Sequence, residues 1–384
     1  MPAMVESVRS CKGLWPVILL AIGFAANADG SGEQKQTASS HAQNILCARY
    51  VSPSGSDANS GTVSAPWRTA QHAFEAARFG QTICFRAGTY PMATGSHYSQ
   101  TLNASGTSEH PITITNYPGE VAILHGNTRV QAIYVNFRGT PATGSGLIFE
   151  GPTGRPLGLI EVMYSHDVIF DHVEIRNDDY HAGFYQYGGY RIKLLNSYIH
   201  DNGVAGSNLD QGIYWDETAG GGNLIANCVI DHNAAQGIAL YSGSSSSEPS
   251  QVTIVGNTIV NNGHYGIAVY GTRNIVVNNI LANNGASFNS QQLGIEHGTD
   301  HFIDSNILWS SIAAQQGMYN PAGQRVTNSI IKNPLFADPA KHNYHLLAGS
   351  PAIGAGNAKY AAPIYADGGK RTSAPEIGAY AFHP

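Results

Sequence analysis

Short runs of alternating apolar and polar residues fill most of the chain, and from about residue 158 they recur at a regular interval. Glycine followed by an apolar residue opens one strand of each repeat, at Gly183-Phe184, Gly212-Ile213, Gly237-Ile238, Gly266-Ile267, Gly294-Ile295 and Gly317-Met318. Neighbouring pairs lie between 23 residues (294 to 317) and 29 residues (183 to 212) apart, a period that marks a solenoid. A second strand recurs between the glycines, at Leu194 to Ile199, Ile225 to Ile230, Ile254 to Ile259, Val276 to Leu281 and Ile303 to Leu308. Aligning these strands stacks Ser197, Cys228, Asn257, Asn279 and Asn306 in one column, where amides and hydroxyls satisfy one another along the axis. Asn202-Gly203, Asn262-Gly263 and Asn284-Gly285 read as turns that close the units. No helical period persists here and no amphipathic crossover helices separate the strands, which argues against a doubly wound α/β fold. The expectation is an all-β parallel β-helix with coils over about 111–332.

The ends break the pattern, as the ends of a solenoid must to cover their apolar faces. After Ala65-Pro66-Trp67, the apolar positions Ala70, Ala73, Phe74, Ala76 and Ala77 have helical spacing, so Thr69 to Arg78 is predicted as a short capping helix within an N-terminal cap of about 45–110. Asn333-Pro334-Leu335-Phe336 and Gly349-Ser350-Pro351-Ala352-Ile353 predict an irregular cap closing the other end over about 333–384.

Arg9 and Lys12 precede an apolar run from Gly13 to Ala25 that ends in Ala26-Asn27-Ala28, the pattern of a secretory signal peptide cut near Ala28. The run falls short of the roughly 20 residues of a spanning helix. Asp29 to about Asn44 is polar and small, a flexible leader. The mature protein is therefore expected outside the cell or in the periplasm. There Cys47 and Cys84, each in a predicted strand, are placed to form a disulfide. Cys228 lies in the stacked column and reads as a buried, inert thiol.

Charged residues make up only 12% of the chain and the formal charge is −6, so no basic stripe exists to displace counterions from a nucleic acid. Abundant Gly, Asn, Ser and Tyr suit ligands held by hydrogen bonds and ring faces.

Tyr50-Val51-Ser52-Pro53-Ser54-Gly55-Ser56-Asp57, the helix after Trp67 and Phe85-Arg86-Ala87-Gly88-Thr89-Tyr90 look like the opening of many secreted polysaccharide lyases. The stretch from Asn333 through Gly354-Ala355-Gly356 to Glu376-Ile377-Gly378-Ala379-Tyr380 is similar to the end of many bacterial secreted β-helix proteins. On these residues the mature chain resembles the pectin-lyase-like superfamily of right-handed single-stranded parallel β-helices. The resemblance implies an extracellular protein acting on polysaccharide, often an acidic one, with calcium aiding several members. Lyases of this type carry a Lys base and an Arg on adjacent coils, whereas the close basic pair here, Arg191 and Lys193, shares one strand. The Asp-pair and Gly-His-Gly motifs of polygalacturonases are absent, so no family residues carry over.

Alternation along the Gly-initiated strands sends Tyr185, Tyr187, Tyr214, Asp216, Tyr241, Tyr270 and Glu296 outward, on coils about 4.8 Å apart, as a groove for a sugar chain or as a stabilising tyrosine stack. Loops beside it bring Asp178-Asp179-Tyr180-His181, Asp210 and Asp216-Glu217. These carboxylates also serve ordinary turns. For β-elimination on a uronate chain, Tyr214 or His181 would be base or acid, with Lys193, Arg191 or calcium as neutraliser. For a glycoside hydrolase, Asp210 would pair with Asp216 or Glu217. A C5 epimerase and a non-catalytic glycan binder stay open, and a monomer is expected. Calcium would need several oxygens, from Asp178, Asp179, Asp201 or Asp210. His200-Asp201 and Asp231-His232 recur on neighbouring coils, and turn chemistry accounts for them more simply than a site.

Overall fold

A computed structural model describes residues 45–92, 100–140, 145–153, 157–242 and 248–383. The signal peptide and leader expected over 1–44 lie outside the described residues. The described chain is a right-handed parallel β-helix with very little helix. Three parallel sheets form its faces: a first of 11 strands, a second of nine and a third of nine. One coil runs through Tyr190–Leu195 in the first sheet, Tyr198–His200 in the second and Ile213–Trp215 in the third. Complete coils begin with Thr82–Phe85, Gly88–Pro91 and Gln100–Leu102, earlier than residue 111.

Alternation along each strand turns every second residue inward, and parallel register stacks those residues in columns. In the first sheet Phe137, Phe170, Leu194, Ile225, Ile254, Val276 and Ile303 form one such column. Ile175, Ile199, Ile230, Ile259, Leu281 and Leu308 form another in the second sheet. The members are buried, so each coil covers the apolar face of the next.

Two corners of the coil are held by buried amides. The predicted column is a ladder: the Asn257 side-chain amide donates to Asn279 Oδ1 (2.9 Å) and that of Asn279 to Asn306 Oδ1 (3.0 Å). Cys228 joins it as a fully buried thiol that donates to backbone carbonyls, and burial pushes its pKa up to about 12. A second ladder, unforeseen, runs through Asn202, Asn233, Asn262 and Asn284 with amide bonds of 2.9 Å, and Gln292 closes it at 3.0 Å. Each of these four asparagines follows a residue held at positive φ (Asp201, His232, Asn261, Asn283), a turn that Asn, Asp and His tolerate best.

One register expectation is corrected. Leu293, not Ile295, pairs with Ile267, so the repeated glycine position belongs to Gln292, and Gly294 points outward opposite Ala268. The ring of Tyr265 lies where a Cβ on Gly294 would be, 2.8 Å from its Cε2. The glycine there makes room for an aromatic ring and does not start the strand.

At the N-terminus the helix spans Ala70–Ala76 with Thr69 as N-cap, and Cys47 is bonded to Cys84 across a Cα separation of 5.6 Å. Where the sequence led to an end cap over about 333–384, the C-terminal segment is found along the outer side of the second sheet. Tyr344, Leu346, Ala352, Ile377 and Ala379 pack there on Val229, Val260, Ile280, Ala282 and Ile307. Among the described residues no helix is long and apolar enough to cross a membrane.

Candidate functional site

Alternation in the third sheet turns two columns outward. Arg129, Glu161, Tyr185, Tyr214, Ala239, Ala268 and Gly294 form the first by direct pairing. Tyr187, Asp216, Tyr241, Tyr270 and Glu296 form the second, one step beyond the inward Gln186, Trp215, Leu240, Val269 and Ile295. Every outward tyrosine of the expected groove is on this face.

The rings make a continuous track. Centroids lie 6.4 Å apart for Tyr185 and Tyr187, 5.4 Å for Tyr185 and Tyr214, 6.4 Å for Tyr214 and Tyr241, and 4.9 Å for Tyr241 and Tyr270. His297 extends the track beyond Tyr270 at 5.3 Å.

The turn from second to third sheet sets His181 over this track. The Asp210 carboxylate accepts the His181 backbone N–H at Oδ1 (3.1 Å) and that of Val204 at Oδ2 (2.8 Å). Asp210 thereby fixes a turn in which His181 has φ 65°. The imidazole stacks on Tyr214 at 5.6 Å with 26° between planes, and its Nδ1 is buried without a hydrogen bond. Burial pulls its pKa below the usual imidazole value, which leaves the ring neutral and able to take a proton. Beside it the Tyr185 hydroxyl donates to Asp216 Oδ2 (2.9 Å), and burial raises the pKa of that carboxyl group.

Asp178 is 2% exposed. Its Oδ1 accepts from the Thr153 hydroxyl (2.7 Å) and the Asp179 N–H (3.1 Å), and burial pushes its pKa up to about 7. Among the described residues, one group of three or more ligand-type side chains gathers its atoms within 4.8 Å, and it contains none of Asp178, Asp179, Asp201 and Asp210. Those four carboxylates do not converge as calcium would require, and no step is assigned to calcium.

Arg191 and Lys193 are corrected as partners of Tyr214. Both lie on the first sheet, in Tyr190–Leu195, and the Arg191 side chain pairs with Asp167 through Nε at 2.8 Å and covers the Tyr190 ring. The cation of the third sheet is Arg129, ion-paired to Glu161 at 2.6 Å. Neither was anticipated, although Glu161 follows Gly158-Leu159-Ile160 much as Tyr185 follows Ala182-Gly183-Phe184. Glu217 is next to Asp216, and its carbonyl accepts the Gly188 N–H at the exit of the strand. His200-Asp201 sits at the end of a second-sheet strand, where His200 bonds Asp201 (2.7 Å) and Glu174 (3.4 Å), away from this face.

A long outward face of this kind on a parallel β-helix defines a class, and the chain belongs to the Pel9A-like right-handed β-helix family, whose model matches residues 49–320. It is 26% identical over 283 residues to the uncharacterized protein YwoF of Bacillus subtilis (strain 168), covering 71% of this chain and 52% of that protein. It is 27% identical over 212 residues to the pectate lyase PEL9 of Emericella nidulans, covering 50% of this chain and 49% of that one. The chain thus spans about half the length of these curated relatives. Among solved structures it is similar to pectate lyase Pel9A, with TM-score 0.61 and 15% identity over 88% of this chain and 98% of the other. A rhamnogalacturonan lyase matches with TM-score 0.53 and 16% identity over 75% of this chain and 90% of the other. At such identities the structural likeness is one of fold.

Proposed function

We propose that the chain is a polysaccharide lyase that cleaves a uronate-containing chain by β-elimination on the outer face of the third sheet. The observation that carries this reading is His181, held neutral by burial and stacked on Tyr214 within a track of rings. The neutral imidazole takes the C5 proton as the C4–O bond breaks and the C4=C5 double bond forms. The Tyr214 hydroxyl protonates the departing oxygen, and the proton on His181 returns to Tyr214 through water. Enolate charge on the uronate carboxyl is met by a hydrogen bond from Asp216, whose protonated form is favoured by burial and which the Tyr185 hydroxyl orients. Tyr187, Tyr241 and Tyr270 hold neighbouring sugars by their ring faces. Membership in the Pel9A-like family and the similarity to a pectate lyase support this reading, and the export signal expected from the sequence over residues 1–28 would agree with it.

The same track suits a glycan-binding protein without turnover, since fold does not decide activity. The hydrolase reading is less favoured, because each oxygen of Asp210, one member of its expected carboxylate pair, already accepts a backbone N–H that holds a turn.

The test is digestion of a panel of uronate and neutral polysaccharides, read together by ultraviolet absorbance and reducing ends. Unsaturated products from a uronate chain are expected. New reducing ends without absorbance would establish a hydrolase, and affinity without products a binding protein.

A further inference from the structure

The geometry points to a transition-metal site of the zinc class, built from Asp231, His232 and His342, that ties the C-terminal segment to the solenoid. Asp231 ends the second-sheet strand Val229–Asp231, His232 follows it in the turn, and His342 follows the 3-10 turn Pro339–Lys341 of the C-terminal segment. One ligand atom from each lies within 4.8 Å of the other two.

The Nδ1 atoms of His342 and His232 stand 2.7 Å and 3.2 Å from Asp231 Oδ2. Bonds of about 2.0–2.2 Å to zinc place tetrahedral ligand atoms roughly 3.3 Å apart, so these three need only small shifts to share an ion. The need for a cation lies in Asp231. It is fully buried, and although both imidazoles and the Tyr344 hydroxyl crowd Oδ2, its Oδ1 is buried with no hydrogen bond. A divalent ion held by both Asp231 oxygens would satisfy Oδ1, which the imidazole and hydroxyl partners crowded at Oδ2 do not.

Two further features fit. The side chains of His232 and His342 are 38% and 43% exposed, which gives an ion a route from solvent. The Asn261 side-chain nitrogen lies 3.4 Å from His232 Nε2, so turning that amide over would bring its oxygen to accept Nε2–H once Nδ1 binds metal, the orienting bond that ligating imidazoles ordinarily have. Two nitrogens and a carboxylate select zinc, cobalt or nickel over calcium and magnesium, which take oxygen sets. Sequence spacing hides the site, because His342 comes from a segment that only the folded chain brings to Asp231.

The test uses the full, untagged chain, stripped by a chelator and titrated with zinc by calorimetry and with cobalt by visible absorption. One equivalent of zinc is expected to bind, cobalt to show the intense bands of a tetrahedral N/O site, and calcium not to compete. His232→Gln and His342→Gln should each weaken zinc at least tenfold, and zinc should protect residues after about 333 from proteolysis in the parent chain only. Because both histidines are partly exposed, these variants test the site without removing Asp231 from the core. Absence of stoichiometric zinc binding, or zinc binding that survives the double variant, would overturn the proposal.

Discussion

The second and third sheets are made by the same coils and bury inward columns of the same kind, but their outer faces differ. Outward positions of the second sheet include Val229, Val260, Ile280, Ala282 and Ile307, and the chain covers them with its own C-terminal segment. Outward positions of the third sheet carry Tyr185, Tyr187, Tyr214, Asp216, Tyr241 and Tyr270 beside His181, and form a track of rings that no segment of the described chain seals with an apolar cluster. Apolar outward residues gain most from leaving water, at about 25 cal/mol per Å². Rings with polar tips can face water and a sugar in turn. Inward columns therefore set the fold, while outward columns decide whether a face is sealed or kept for a partner.

The sharpest way to separate the two faces is through turnover. His181→Ala and Tyr214→Phe should each lower lyase activity by about 10²–10³-fold and leave the unfolding midpoint in urea nearly unchanged. A fall in stability matching the loss of activity would remove the distinction.

On the sealed face the effect should reverse. Ile377 is fully buried against the second sheet. Ile377→Ala should cost about 2–5 kcal/mol of stability in urea unfolding, with kcat per folded molecule retained.

A pH series sharpens the contrast. Because burial lowers the His181 pKa, the folded ring stays neutral below the usual imidazole value, and the acid limb of kcat/KM should fall under about pH 6.5. The unfolded chain protonates first there, so His181 lowers stability as pH drops through about 6.5, until the folded ring also protonates. Asp178 acts oppositely: its raised value favours the protonated folded form, so its stability contribution is lost as pH rises from about 4 through about 7. Asp178→Asn should therefore raise the thermal midpoint at pH 8 and change it little at pH 4. A wild-type acid limb above pH 6.5 would count against His181 as base.

The smallest effect belongs to the rim of the track. Tyr241→Ala should raise KM by about two- to tenfold, the scale of one ring contact, with kcat and stability unchanged.

Much of the fold was legible because a solenoid repeats its local rule. The Gly-apolar strands, the column from Ser197 to Asn306, the helix after Thr69 and the Cys47–Cys84 pair all followed from short-range pattern. The ladder from Asn202 to Asn284 carried a signal of the same kind, an asparagine at a fixed offset in each turn, but it was read only as a set of turns. Gly294 misled because glycine serves two ends, opening strands and making room for a ring, and only the packed Tyr265 tells them apart.

For the candidate site, the sequence by itself determined which residues of a third-sheet strand face outward, since alternation is a property of the extended backbone. It could not determine which of three sheets a strand joins, and so it grouped Lys193 and Arg191 with a cluster on another face. The tertiary structure also decided that Asp210 holds the turn of His181, and that His342 meets Asp231 at a distance of 111 residues in the chain. Those contacts depend on loop paths and on the course of the C-terminal segment, and no local periodicity encodes either.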